Sequence, residues 1–153
     1  NSTRKEVLNN SYKILEYHYN ILHALGVKPL IILHVGSNVF GKQKSISRFI
    51  NNFYKLPKYL RDSIAVENDD KIFNICDVLN LSKKLNIPFV LDYHHYICNN
   101  DGEDIKDYLK DIFSTWDGIP KVHFSSPKNK CVLTAKILSD KAIALAKVIF
   151  LSA

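Results

Sequence analysis

Phe89-Val90-Leu91-Asp92-Tyr93-His94-His95-Tyr96 is the stretch that decides how this chain is read. Behind the Pro88 breaker, Ile87 to Leu91 is apolar at successive positions, the pattern of a strand covered on both faces in a parallel sheet flanked by helices. Asp92 closes that strand, and the histidines stand just beyond it. Parallel α/β sheets carry ligands and catalytic groups on the loops leaving the C-terminal strand ends, so this is where chemistry is expected. One histidine near a strand end is usually a structural hydrogen-bonding residue. Asp-x-x-His with a third partner elsewhere is a ligand pattern, and the rest of the chain supplies the partners.

Outward from this stretch, helix and strand signals alternate. Arg4 to Leu25 spaces Val7, Leu8, Ile14, Leu15, Ile21, Leu22 and Leu25 as a long amphipathic helix, stopped by Gly26. Leu30 to Leu33 reads as a buried strand ending at His34, followed by the Gly36 to Gly41 loop. Lys44 to Leu56 is helical, and Pro57 opens a further helical turn. Ser63 to Val66 is a strand ending at Glu67, Ile75 to Leu85 a helix, and Asp104 to Phe113 another helix after the Asn99 to Gly102 turn. Lys121 to Phe124 and Cys131 to Ala135 read as strands, and Asp140 to Phe150 as a closing helix.

Polar residues therefore end successive strands at His34, Glu67, Asp92 and His123, at intervals of 33, 25 and 31 residues. One βα unit needs roughly 30 residues, so the spacing predicts an α/β fold of parallel βα units, a TIM-type barrel with about five of its eight strands. A doubly wound open sheet is the alternative. His34-Val35-Gly36-Ser37 matches neither a Walker sequence nor G-x-G-x-x-G, which excludes nucleotide binding of those types.

Composition agrees with one globular domain over residues 1–153: 46% of the residues are apolar and 24% charged. No long apolar run or signal core is present, so a cytoplasmic protein with no membrane partner is expected. Cys76, Cys98 and Cys131 are unpaired in spacing and read as reduced thiols. The chain lacks methionine and so reads as a processed protein or a fragment. Its net charge of +6 suits a polyanionic partner, although 18 lysines against 3 arginines is also what codon bias produces.

Four polar residues delivered to one rim of an apolar scaffold are hard to explain as packing. Buried carboxylates without partners cost several kcal/mol, and a divalent cation is the usual compensation. Carboxylate and imidazole donors without thiolate suit manganese, zinc or magnesium. A metal of this kind acidifies bound water from a pKa of about 15.7 toward 7, and metal pairs support phosphodiester displacement.

His34-Val35-Gly36, Gly41-Lys42, Arg48-Phe49, Val66-Glu67-Asn68-Asp69-Asp70, Ile87-Pro88, Leu91-Asp92-Tyr93-His94-His95 and Ile119-Pro120-Lys121-Val122-His123-Phe124-Ser125-Ser126-Pro127 occur in this order. Together they resemble the UV damage endonuclease family, over about Arg4 to Lys128. The resemblance implies the C-terminal part of a metal-dependent barrel nuclease that nicks double-stranded DNA 5′ to UV lesions. It further implies His34, Glu67, Asp92, His95 and His123 as metal ligands, with Glu67 bridging and His94 outside the set. Manganese is the favoured ion. Lys121 matches a family lysine that can be carboxylated near the metals, making Lys121 and Glu67 the candidate catalytic groups.

Departures accompany these matches. The family's earlier strands, with two further histidine ligands and a lesion-probing Gln-Tyr pair, have no counterpart here, and a histidine-bearing region is missing between Lys130 and Cys131. Thr134 stands where a glutamate ligand is expected. Lys42, Lys44, Lys128 and Lys130 are the candidate DNA-backbone contacts. Two alternatives accompany this reading: a folded barrel fragment without turnover, serving structure or DNA binding only, and a metal-dependent sugar isomerase or epimerase. Edge strands Leu30 to Leu33 and Cys131 to Leu133 would be left open, so a homodimer is expected to cover them.

Overall fold

The computed structural model describes residues 1–125. Helix α1 (Lys5–Ala24) leads into strand β1 (Ile31–His34), followed by α2 (Lys42–Phe53), a single turn α3 (Lys58–Arg61), β2 (Ile64–Glu67), α4 (Ile75–Leu85), β3 (Phe89–Asp92), α5 (Tyr93–Cys98), α6 (Lys106–Phe113) and β4 (Val122–His123). The strands form a parallel sheet in the order β1-β2-β3-β4. Each strand is joined to the next through helix, as parallel neighbours require. The expected strand Cys131 to Ala135, the helix Asp140 to Phe150, Thr134, Lys128 and Lys130 all lie outside the described residues.

Side-chain alternation sorts the strands into two faces. Ile31 and Leu33, Ile64 and Val66, Phe89 and Leu91, and Val122 belong to the hydrophobic core that the helices cover. The alternate positions, Ile32 and His34, Ala65 and Glu67, Val90 and Asp92, with His123, point to the opposite face. Register keeps that face consistent: His34 pairs with Glu67, Glu67 with Val90 two residues before Asp92, and Asp92 with His123. A slip of one residue would turn one of these polar side chains into the core, whereas the two-residue step between β2 and β3 preserves orientation and gives the stagger of a barrel wall.

Local chemistry explains most boundaries. Asn74 and Asp77 form a reciprocal capping box at the start of α4, and Asn86 ends it in the left-handed conformation. At the start of β3, Thr115 Oγ1 accepts from Phe89 N at 2.9 Å and Trp116 Nε1 donates to Phe89 O at 2.7 Å, so side chains satisfy backbone groups there.

Three sequence expectations are corrected. Helix α2 begins at Lys42 rather than Lys44, because Gly41, at φ 92°, is its N-cap. The segment Tyr93–Cys98, read from sequence only as following the strand end and given no helix, is helix α5. In α1, Ile14, Ile21 and Leu25 face outward, at 55%, 40% and 70% exposure. Positions 14 and 15, or 21 and 22, cannot both face the sheet, and Tyr12, Leu15 and Tyr19 take the inward side. Tyr19 packs against Tyr59 with ring centroids 4.8 Å apart and the rings tilted by 57°.

A candidate metal centre at the strand ends

Four strand ends bring His34, Glu67, Asp92 and His123 together, and the first turn of α5 adds His95. The donor atoms fall into two sets, His34–Glu67–His95 and Glu67–Asp92–His123, within each of which all lie within 4.8 Å of one another. Glu67 belongs to both. Its Oε1 accepts from His123 Nδ1 at 2.7 Å, while its Oε2 lies 3.4 Å from His34 Nε2. The carboxylate thus turns one oxygen toward His123 and the other toward His34.

Burial sharpens the chemistry. Glu67 and Asp92 are 6% and 5% exposed, whereas His34 and His123 face solvent on the open side. No lysine or arginine pairs with either carboxylate among the described residues. Two buried acids whose side-chain partners of basic type are imidazoles alone make a donor set that fits a divalent cation, because the ion would supply the charge compensation that burial demands.

The fold fixes the rings and carboxylates in place. Asp92 is both the last residue of β3 and the N-cap of α5, its Oδ1 accepting from His95 N at 2.9 Å. His95 Nδ1 lies 2.8 Å from the Asn68 carbonyl. A carbonyl only accepts, so Nδ1 carries a proton, which leaves Nε2 as the nitrogen that could meet an ion. Asn68, fully buried at the residue after Glu67, was not among the residues singled out from sequence. Its position immediately after a ligand at the end of an apolar strand was the available signal.

The other candidates are placed as follows. Lys121 precedes β4 on the same face as His123, two residues earlier, and lines a cavity of about 780 Å³ between the loops at the N-terminal strand ends, together with Pro29, Asp62, Pro88 and Gly118. No hydrogen bond or ion pair joins it to the cluster. Lys42 occupies the first turn of α2 and pairs with Asp77 at 2.7 Å, and Lys44, on the same turn, is exposed. His94 lies outside both donor sets and 3.7 Å from Cys98 Sγ through Nε2.

A family model described as UV-endonuclease UvdE matches residues 1–136. The chain belongs to the UV-endonuclease UvdE family. It is 39% identical over 134 residues to the UV DNA damage endonuclease of Bacillus cereus (strain 03BB102), covering 84% of this chain and 42% of that relative. Identity and coverage are the same for the UV DNA damage endonuclease of Bacillus mycoides (strain KBAB4). A structure described as the crystal structure of SacUVDE superposes with a TM-score of 0.79 at 37% identity, over 84% of this chain and 45% of that one. The chain therefore spans less than half the length of these UvdE relatives, and its four described strands form part of a TIM-type barrel.

Proposed function

We propose that this chain carries part of the metal centre of a DNA-repair endonuclease that nicks UV-damaged double-stranded DNA 5′ to the lesion. The observation that carries this reading is Glu67, buried and shared between two ligand sets at the rim of a UvdE-family sheet. Glu67, Asp92 and His123 would hold one divalent cation, with His34 and His95 completing a second set around Glu67. Manganese suits this carboxylate and imidazole set best, zinc and magnesium next. Such an ion would polarise a phosphate oxygen as a Lewis acid.

The protein's own groups have separate tasks. Asn68 and the α5 cap orient Asp92 and His95, and Glu67 supplies a buried negative charge between the two sets. Lys121, the residue before β4 and two positions from His123, is assigned with Glu67 to the catalytic groups. Lys42, Lys44, Lys128 and Lys130 are assigned to the DNA backbone. Lys44 sits where a helix macrodipole disfavours cations, at the start of α2, and a polyanion docked there would offset that cost, whereas Lys42 would have to exchange its Asp77 partner for phosphate.

We further infer a single partial-barrel domain that works in the cytoplasm; none of the described helices is long and apolar enough to cross a membrane. A second copy would cover the exposed edge of β1 and the outward Ile14, Tyr17, Ile21 and Leu25 of α1. Sedimentation at micromolar concentration tests that assembly, and a stable monomer overturns it.

Nicking of UV-irradiated plasmid in the presence of Mn²⁺ tests the activity. Conversion of supercoiled to nicked circles by the chain, abolished in Glu67→Gln, is the expected result. Binding without nicking would favour the fragment that serves DNA binding only, and ketose-to-aldose conversion would favour the isomerase reading.

A further inference from the structure

The loop leaving β1 holds a side chain that folding does not explain. Asn38 to Gly41 forms a four-residue turn, closed by Gly41 N donating to Asn38 O at 3.1 Å. Its third position is Phe40, with φ 68°, and Phe40 is 72% exposed. Turns of this kind ask for glycine or asparagine at that position, because a Cβ in the left-handed region clashes with the backbone. A large aromatic there carries backbone strain without gaining burial.

The loop is not loose. Arg48 Nη2 donates to Ser37 O at 3.3 Å and Val39 O at 3.4 Å, and also to Ser45 Oγ at 2.9 Å. Ser45, fully buried, donates from its own hydroxyl to Val39 O at 3.3 Å. The carbonyls on the approach to Phe40 are thus fastened to α2, and the ring is held out from a braced platform. That platform leaves β1 at the same rim as His34, beside the exposed Lys44. Strain at a braced, solvent-facing position near a candidate centre is the observation from which a functional role is inferred.

We propose that Phe40 is a base-stacking residue that seats against an unstacked or distorted nucleobase of the DNA held at this rim. The inference rests on the DNA reading above and adds a lesion-sensing contact carried by the β1–α2 loop. An aromatic face accepts any base, and its benefit is largest where a lesion has already weakened stacking. A ring presented by a rigid turn also loses little rotamer freedom on contact.

The test is fluorescence anisotropy with a labelled duplex carrying one cyclobutane pyrimidine dimer, and with its undamaged counterpart. Phe40→Gly is expected to melt at the same temperature as the unsubstituted chain or higher, because strain is relieved, while binding the damaged duplex about tenfold more weakly. Phe40→Trp should retain damaged-duplex binding. Tyr54→Ala, which removes an exposed aromatic at the other end of α2, should leave it unchanged. Equal affinity of Phe40→Gly and the unsubstituted chain for the damaged duplex overturns the proposal while leaving the DNA reading intact. Absence of any DNA binding by the unsubstituted chain overturns both. A Phe40→Gly chain that keeps its DNA affinity but loses self-association in sedimentation reassigns the ring to a protein contact and overturns the proposal.

Discussion

The Asn68 side chain clasps the backbone of Asp92 at both of its hydrogen-bonding groups. Nδ2 donates to Asp92 O and Oδ1 accepts from Asp92 N, each at 2.9 Å. The β2–β3 pairing runs through Glu67 and Val90, and the carboxamide extends that grip to the ligand beyond. Asn68→Ala leaves two buried backbone groups without partners, each worth about 1–3 kcal/mol, so a loss of about 2–6 kcal/mol is expected. Urea denaturation followed by the fluorescence of Trp116, the chain's single tryptophan, measures it. A loss below about 0.5 kcal/mol would mean that water replaces the clasp.

Asp92 has two tasks that substitution can separate. Asp92→Asn keeps an acceptor for the α5 cap and should retain stability to within about 1 kcal/mol, whereas Asp92→Ala also loses the cap. Both should weaken Mn²⁺ retention, read by elemental analysis after dialysis. His94→Ala should retain the ion, because His94 belongs to neither donor set. Equal losses in Asp92→Ala and His94→Ala would contradict the ligand assignment.

Metal content distinguishes one loaded set from two. A single tightly held divalent ion per chain is expected, at Glu67, Asp92 and His123. Glu67→Gln should abolish it, and His34→Ala should leave it in place. Two ions per chain would show that the His34–Glu67–His95 set loads as well.

Glu103 gives a pH-dependent prediction away from the centre. Burial first, and then the charge of Asp101, raises its carboxyl above the usual range, and its Oε2 has no hydrogen-bond partner. A folded-state pKa raised above the unfolded one means that the fold holds the proton more tightly. The associated stability is present at low pH and lost as pH rises through the folded-state value. Glu103→Gln should therefore raise Tm at neutral pH, with the gain shrinking as pH falls through the raised folded-state value and gone below the ordinary glutamate range. A pH-independent difference would assign the effect to packing.

Much of the scaffold was legible because apolar periodicity and breakers coincide. Ile75 to Leu85 was bounded by Asn74 and Asn86, whose capping roles are local, and the strands stop at the polar residues that end their apolar runs. Helix α5 was not legible: Tyr, His and Cys have weak helix preference, and the turn depends on the Asp92 cap and on burial of Tyr93 and Tyr96. The facing of α1 depended on which of two adjacent apolar residues met the sheet. Pairing of Lys42 with Asp77, 35 residues away, is a tertiary fact with no signal in local spacing.

The cap on α5 also bears on which ions the centre can discriminate. Asp92 commits Oδ1 to the helix and turns Oδ2 toward His95, 3.7 Å from Nδ1. A carboxylate with one oxygen engaged in this way would offer a cation its other oxygen most readily. Calcium draws much of its selectivity from bidentate carboxylates and a large all-oxygen shell, whereas smaller transition ions accept one oxygen alongside imidazole. If Asp92 holds an ion as proposed, the joint between strand and helix would favour a contact through one oxygen, and with it a small transition ion over calcium.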